Sequence, residues 1–542
     1  MSRLKIITVA CISIFGISAT VVNNDKYFEM IKNIEIFTNV YKELNTYYVD
    51  EIDPAQLMRT GIDAMVSSLD PYTNYYSESQ VQSYRISSEG KYNGIGAVSK
   101  VVDGWVTITR IIEDGPAHKA GIKVGDQIRA INGDSTKDRS NEDVVQIVRG
   151  FPGSTLGLTV RSIGATENRK VDLDRSQVEL KNVPFSGYID DGIGYVNLTT
   201  FTANASKNIA KSIKTMKKDD QELNGLILDL RNNGGGLLRE AVSICNLFLP
   251  AGKEVVSTKG KVKDRDQVYK TQAQALDLEV PLVVLINNSS ASASEIVSGV
   301  IQDYDRGVLM GQRSFGKGLV QNHREVGYNS RIKVTTSKYY IPSGRCIQSV
   351  EYENGEPKDI DDVKRASFYT SKGREVLDGG GVAPDIKLDL PEPSELLQML
   401  NKEDWIFKFV NQYTSKIDSL DNAKDYRFSD YDQFISFLTQ YDFEFTTKAE
   451  TELGELKDEL NIDHVEDQIA QIEKIIETEK SDDLQEFKTE INRAIEEEIV
   501  SRYFFESGRT ELNLDQDNEI AKAIEILKDK AAYDQVLAGV TK

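Results

Sequence analysis

The stretch Val280-Pro-Leu-Val-Val-Leu-Ile-Asn-Asn-Ser-Ser-Ala-Ser-Ala-Ser-Glu-Ile-Val-Ser298 decides the architecture of the middle of the chain. Val280–Ile286 carries no polar side chain, so a strand built from it is buried on both faces, as in a sheet covered by helices. Small hydroxyl residues follow, and then a helical pattern. A strand that ends in a small-residue turn and enters a helix places a serine hydroxyl near helix-terminal N–H groups, which suits a nucleophile and its oxyanion alike. Ser-rich helix starts are also ordinary N-caps, so this segment alone leaves both readings open. Upstream, Gly225–Leu230 repeats the pattern, a buried run followed by Arg231-Asn-Asn-Gly-Gly-Gly236. Beyond Val178 the chain reads as α/β up to about residue 390.

Downstream stands Gly311-Gln-Arg-Ser-Phe-Gly-Lys-Gly-Leu-Val-Gln321. It has the spacing of a phosphate-binding loop but departs from it twice. Gly318 occupies the place of the Ser/Thr that would hold Mg²⁺, and Leu319-Val-Gln321 has strand character where such a loop enters a helix. On a strand, Lys317, Leu319 and Gln321 face one side, which would let Gln321 orient the Lys317 amine.

Between Gly90 and about Arg161, short β-rich runs alternate with Gly and Asp turns: Ile95–Val102, Trp105–Ile111, Gln127–Ile131 and Leu156–Val160. Within them, Gly115-Pro-Ala-His-Lys-Ala-Gly121-Ile-Lys-Val-Gly125-Asp-Gln-Ile-Arg-Ala-Ile-Asn132-Gly-Asp-Ser135 reads as a short helix, a turn, a strand and a second turn. This run closely resembles the PDZ domain of bacterial envelope proteases. The resemblance implies a groove in which a peptide C-terminus adds as a strand. Its carboxylate would be held by backbone N–H groups of Gly94-Ile95-Gly96, where missing side chains allow close approach. His118 reads as a surface helix residue.

The chain starts Met-Ser-Arg-Leu-Lys, continues uncharged from Ile6 to Val22, and turns polar at Asn23-Asn-Asp25. A basic start before an apolar segment is an export signal or an N-terminal anchor. Its 17 residues make roughly 25 Å of helix, short for a bilayer, and no clear A-x-A site follows, which favours an uncleaved anchor. The expectation is an exported protein of the periplasm or cell envelope, held to the inner membrane by residues 6–22. From Tyr27 to Tyr84 the spacing of Ile31, Ile34, Val40 and Tyr41, and of Leu57, Ile62, Met65 and Leu69, predicts helices.

The 542 residues suggest about three to five domains. Of the net charge of −21, nearly all lies in residues 391–542, which hold 37 acidic and 17 basic side chains. Only Gly454, Gly508 and Gly539 fall in that tail, and no proline follows Pro393. The tail thus reads as acidic packed helices, with Leu453, Leu456, Leu460, Val465, Ile469, Ile472 and Ile476 at three/four spacing. Such acidity argues against a nucleic-acid partner. Cys11, Cys245 and Cys346 are too far apart for a disulfide framework or a zinc knuckle. With only His118, His323 and His464, a His-rich metal site is not expected, nor is any cofactor.

Taken together, Leu69-Asp-Pro-Tyr-Thr73, the PDZ run, Asp229-Leu-Arg-Asn-Asn-Gly-Gly-Gly236, the serine run to Glu295, Gly316-Lys-Gly-Leu-Val-Gln321, Tyr340-Ile-Pro-Ser-Gly-Arg-Cys-Ile-Gln348 and Gly379-Gly-Gly-Val-Ala-Pro-Asp385 resemble the C-terminal processing peptidases. These tail-specific enzymes are PDZ-containing Ser-Lys serine proteases. The resemblance implies a multidomain α+β protein. Residues 1–24 would be a signal peptide or anchor, and 25–88 a helical region. A PDZ β-sandwich-like domain would span 89–165, and a crotonase/Clp-protease-like α/β catalytic domain 166–390. An acidic all-α domain would fill 391–542.

It also implies Ser292 as nucleophile, Lys317 as general base and Gln321 as the group positioning it. The oxyanion donors would be the Ala293 N–H and a glycine N–H from Gly234-Gly235-Gly236, with Gly235 and Gly236 preferred. His323 is a minor rival base. A free lysine titrates near 10.4, so a base working near pH 7 needs its pKa lowered by about 3, roughly 4 kcal/mol, which burial can supply. The expected function is a serine endopeptidase of the cell envelope that recognises substrate C-terminal tails. Its partners are peptides with free C-termini, and the helical regions serve oligomerisation or an adaptor. The alternative is a non-catalytic PDZ scaffold on a protease-like fold.

Overall fold

The computed structural model describes residues 26–78, 80, 90–218, 221–348, 350–353, 356–359, 362–388, 393–459 and 466–539. The segment expected to export or anchor the chain, with Cys11 in it, lies outside them. The chain divides into two units. The smaller comprises Met1–Ser77, Gln321–Thr335 and Tyr352–Pro357, and the larger takes the rest.

In the smaller unit a helix runs over 26–47 and a second over Pro54–Ser67. Asp53 caps the second, its carboxylate accepting from the Ala55 and Gln56 N–H groups at 2.8 and 3.3 Å, and Pro54 fills the first helical position, where no N–H is needed. The Leu69–Thr73 motif is a turn built on buried Asp70. Its carboxylate accepts from the N–H groups of Tyr72 and Thr73 and from the Thr73 hydroxyl. Asn74–Tyr76 then departs from the helical expectation and pairs antiparallel with Arg331–Lys333.

In the larger unit, five antiparallel strands run in sheet order Ala97–Val102, Trp105–Ile111, Gln127–Ile131, Thr155–Arg161 and Arg169–Asp174. Their inward residues, Val106, Ile108, Ile128, Leu156, Leu158 and Val160, pack with Val144 of the helix Asn141–Val148. Asn132 and Gly133 both take positive φ, 51° and 96°, as a two-residue hairpin turn requires. The expected boundary at 165 falls short. Arg169–Asp174 is the fifth strand of this sheet, and Ser176–Glu179 pairs with Lys91–Gly94. The alternation of buried and exposed residues in 169–174 belongs to this sheet, and that in 176–179 to the separate two-stranded ribbon, rather than to the α/β region.

A six-stranded sheet has the order Ser186–Asp190, Ile193–Asn197, Gly225–Asp229, Leu282–Ile286, Val308–Gly311 and Ile386–Lys387, parallel except for the first pair. Alternate residues explain why these strands lack polar positions. Leu226, Leu228, Leu282, Val284 and Ile286 face the core shared with helices Ala205–Met216, Leu238–Phe248 and Ala293–Asp303. Ile227, Val283, Leu285, Val308 and Met310 face the other way, onto Ile520, Ala523, Ile526, Leu527, Tyr533 and Val536. Those belong to helices Asn518–Lys528 and Lys530–Leu537.

The expected all-α domain at 391–542 is therefore not self-contained, because its last two helices complete the catalytic layer. The remainder of the tail has its own core. Phe409, Phe428, Tyr431, Phe434 and Phe437 pack against Ile491, Ile495 and Ile499. The apolar spacing noted at 453–476 is only partly used: Leu453 and Ile469 are buried, Leu456 and Ile472 are exposed, and Leu460 and Val465 lie outside the described residues.

Candidate active site

Three strand ends of the parallel sheet, after Asp229, Ile286 and Gly311, carry the loops that meet around Ser292, the usual place for ligand chemistry in an open α/β sheet. The three serines of the run have different surroundings. Ser290 and Ser294 are fully buried, and their hydroxyls donate to the carbonyls of Leu230 at 2.8 Å and Asn233 at 2.7 Å. Those two serines fasten the run to the Asp229–Gly236 loop. Ser292 is only partly buried and stands at the N-terminus of the helix Ala293–Asp303. Its backbone takes φ 56°, ψ −108°, a sparsely populated conformation for a residue with a side chain.

Glu295 holds it there. This fully buried carboxylate accepts from the Ser292 N–H at 2.7 Å and the Lys317 N–H at 2.9 Å through one oxygen. Its other oxygen accepts from the Ser314 hydroxyl and the Gly316 N–H, both at 2.6 Å. Burial pushes the carboxyl above its usual range, against the opposing pull of these four donors. On the carbonyl side, the Tyr339 hydroxyl lies 2.7 Å from the Lys317 oxygen and 3.1 Å from that of Ser292. The sequence signal for Glu295 is the Ser-x-x-Glu spacing at a helix start, which marks a capping box. Tyr339 had no signal in the sequence.

Lys317 lies in the irregular stretch before the strand Leu319–Gly327, partly buried, so it does not share that strand's regular alternation with Gln321. No helix follows, as the failed phosphate-loop pattern requires. Gln321 belongs to the smaller unit, where its amide donates to the Thr335 hydroxyl at 3.3 Å; the Thr335 N–H in turn donates to the Thr73 hydroxyl. His323 is in that unit too, its imidazole pulled down by burial and by the charges of Lys333 and Arg331.

The glycine loop lies against Ser292. A Cβ on Gly235 would come within 2.9 Å of both the Ala293 nitrogen and the Ser292 Cβ, which no side chain tolerates. The Gly235 N–H, however, donates to the side-chain oxygen of fully buried Asn233, and its carbonyl accepts from the Phe201 N–H. Of the expected donors, Gly235 is thus engaged within the loop. Gly236 pairs with Phe201 through the flanking Gly235 carbonyl and Leu237 N–H, and its own N–H makes no backbone hydrogen bond among the described residues.

In the PDZ domain Gly94 and Ile95, two of the three expected loop residues, line a 230 Å³ groove with Val98, Ile108, Ile128, Val145 and Val148, and Gly96 does not line it. Gly94 ends the ribbon paired with Ser176–Glu179. The carbonyls of Ile95 and Gly96 accept from the N–H groups of Ala117 and Ile112, so the loop is anchored from behind. The Tyr92 phenol, raised by burial, is opposed by Arg149 and by the N–H groups of Gly96 and Ala97, which face its oxygen. His118 packs edge-on against Phe505, with ring centroids 5.1 Å apart.

Comparison with known proteins shows the family to which the chain is similar. The profile of peptidase family S41 matches residues 192–361, that of the PDZ domain 84–161, and that of a probable PDZ-protease C-terminal helical domain 396–527. The carboxy-terminal-processing protease of Bartonella bacilliformis is 34% identical over 321 residues, covering 59% of this chain and 73% of that protein. A probable CtpA-like serine protease of Staphylococcus aureus is 31% identical over 368 residues, covering 67% of this chain and 66% of its own length. Among solved structures, the photosystem II D1 C-terminal processing protease is 26% identical, with a TM-score of 0.36, over 65% of this chain and 92% of its own.

Proposed function

Because the chain belongs to the carboxy-terminal-processing proteases, serine-type peptidases that carry a PDZ domain, we propose that it takes protein substrates by their free C-terminal tails and cleaves them with a Ser292–Lys317 dyad. The tail lies along Ala97–Val102 as an added strand, its carboxylate on the Gly94–Gly96 loop and its last side chain in the apolar groove. At the catalytic sheet, the Ser292 hydroxyl oxygen attacks the scissile carbonyl carbon while the Lys317 amine takes its proton. The tetrahedral oxyanion forms against the Ala293 N–H and the Gly236 N–H. Collapse breaks the C–N bond, and Lys317 returns the proton to the leaving amine. Water then hydrolyses the acyl-enzyme by the same relay. The catalytic layer is of the crotonase/Clp-protease kind. The work is done outside the cytoplasm, with residues 6–22 as signal or tether. With the peptidase class established, the scaffold alternative has no observation in its favour.

The observation that carries the dyad is the shared Glu295 oxygen, which ties the Ser292 and Lys317 backbones to one point. The test offers one tailed substrate, with a free or an amidated C-terminus, to the wild type, Ser292→Ala, Lys317→Ala and Lys317→Arg. All three variants are expected to be inactive, Lys317→Arg included, since a guanidinium does not give up its proton near pH 7. Amidation is expected to raise KM. Cleavage by Ser292→Ala would remove the mechanism; indifference to amidation would remove carboxylate recognition alone.

A further inference from the structure

The loop between Asp229 and Gly236 is gripped from an unexpected quarter. Arg231 lays its guanidinium between the end of the strand Gly225–Asp229 and the start of the C-terminal helix Asn518–Lys528. There its Nε and Nη2 donate to the Asp229 carboxylate, Nη2 at 2.6 Å, while the Asp229 carboxylate also accepts from the Arg231 N–H and the Tyr195 hydroxyl. Nη1 meets Glu519 at 2.6 Å and Asp517 at 2.8 Å, both at the start of the C-terminal helix Asn518–Lys528. Asp517 uses its other oxygen to cap that helix, accepting from the Glu519 and Ile520 N–H groups. Glu519 is fully buried, and its second oxygen lies 3.1 Å from where a Cβ on Gly311 would stand, at the start of the segment that leads to Lys317. One helix start thus touches the loops on both sides of the nucleophile.

Such a cluster is a poor way to gain stability. Desolvating three carboxylates around one guanidinium costs about as much as their attraction returns, and apolar packing would hold the helix as well. What a charged, multidentate clamp adds is direction: it fixes the exit of the loop at Arg231 more narrowly than apolar contact does.

We propose that Glu519 and Asp517, acting through Arg231, are positioning residues that hold the glycine loop where its N–H meets the oxyanion. The proposal rests on the assignment of Ser292 as nucleophile. The full-length chain is compared with Glu519→Gln, Arg231→Lys and, as a control that loosens the same helix through apolar contact alone, Leu527→Ala. Each is measured for kcat, KM, melting temperature and inhibition by a peptidyl boronic acid, whose tetrahedral adduct on serine puts an oxygen in the oxyanion site. Glu519→Gln and Arg231→Lys are expected to lower kcat by about ten- to a hundredfold with KM unchanged, and to weaken the boronate by a similar factor. Leu527→Ala is expected to lower the melting temperature and leave kcat and boronate affinity near wild type. Wild-type kcat in Glu519→Gln, a kcat loss with unchanged boronate affinity, or an equal kcat loss in Leu527→Ala would each overturn the proposal. Wild-type cleavage by Ser292→Ala, run alongside, would instead overturn the site assignment beneath it.

Discussion

Ser292 and Lys317 are tied together through their backbones rather than by proximity in sequence: one oxygen of buried Glu295 accepts both N–H groups, and the Tyr339 hydroxyl bridges both carbonyls. A general base and its nucleophile must keep hydrogen-bond reach through the reaction, and in the proposed dyad that reach would depend on two groups that themselves perform no chemistry.

Glu295→Gln keeps the shape of the side chain but puts an NH₂ group against N–H donors. Hydrogen bonds to a charged group are worth about 1.5–3 kcal/mol each, so kcat is expected to fall at least tenfold, with KM for a tailed peptide unchanged. Steady-state kinetics on the variant check this, and an unaltered kcat would show that the staple is not needed.

Acid should act on the same group. Burial raises the Glu295 carboxyl, so on lowering the pH it takes up a proton before an ordinary glutamate does and presents a donor where an acceptor is required. A carboxyl whose folded pKa exceeds its unfolded value gains stability, not loses it, as pH falls through that interval. Activity is therefore expected to drop at a pH above the ordinary carboxylate range while near-UV circular dichroism stays native. This acid-side step should be absent from the pH profile of Glu295→Gln.

Tyr339→Phe removes only the hydroxyl that spans the two carbonyls and leaves a ring that is 1% exposed in place. A loss of about 1 kcal/mol is expected, read as a kcat reduced several-fold with little change in melting temperature. A large destabilisation with normal kcat would assign the hydroxyl to folding alone.

Gly96 has φ 75°, and a Cβ there would stand 3.1 Å from the Gly115 Cα. Gly96→Val should distort the groove end without reaching the catalytic sheet. KM for a substrate with a free C-terminus is expected to rise about tenfold, some 1.4 kcal/mol, while hydrolysis of a short peptide that does not use the groove stays as it was.

Ending the chain at residue 516 would uncover Ile227, Val283, Leu285, Val308 and Met310, which helices 518–537 bury. An apolar face of that extent on a parallel sheet leads to aggregation, so the truncated protein is expected in the insoluble fraction. Recovery of a soluble, folded monomer would show that the sheet finds other cover.

Local sequence was enough for the elements whose residues speak for themselves. The runs at 97–111, 127–131, 155–161, 225–229 and 282–286 are strands where alternation or an unbroken apolar run predicted them. Ser292 was separable from its neighbours only by a family resemblance, and the structure adds a reason: Ser290 and Ser294 spend their hydroxyls on carbonyls 60 and 61 residues away. The sheet that Arg169–Asp174 joins and the layer that helices 518–537 cover were not legible for a common cause. A strand's or helix's own pattern states that it has a buried face, not which sheet supplies the cover.

What the amino-acid sequence determined by itself is thus the set of local states: strands, turns with positive φ at Asn132 and Gly133, helix starts at Asp53 and Ser292, and the residue types for serine chemistry. Tertiary structure decided which of them meet. The Glu295 carboxylate on Lys317, the Tyr339 bridge, and the grip of Glu519 on Arg231 across 288 residues of chain are contacts between segments that no period or motif links. They form because each buried polar group must find a partner in whatever packing the apolar layers impose, and that partner is known only once the layers are in place.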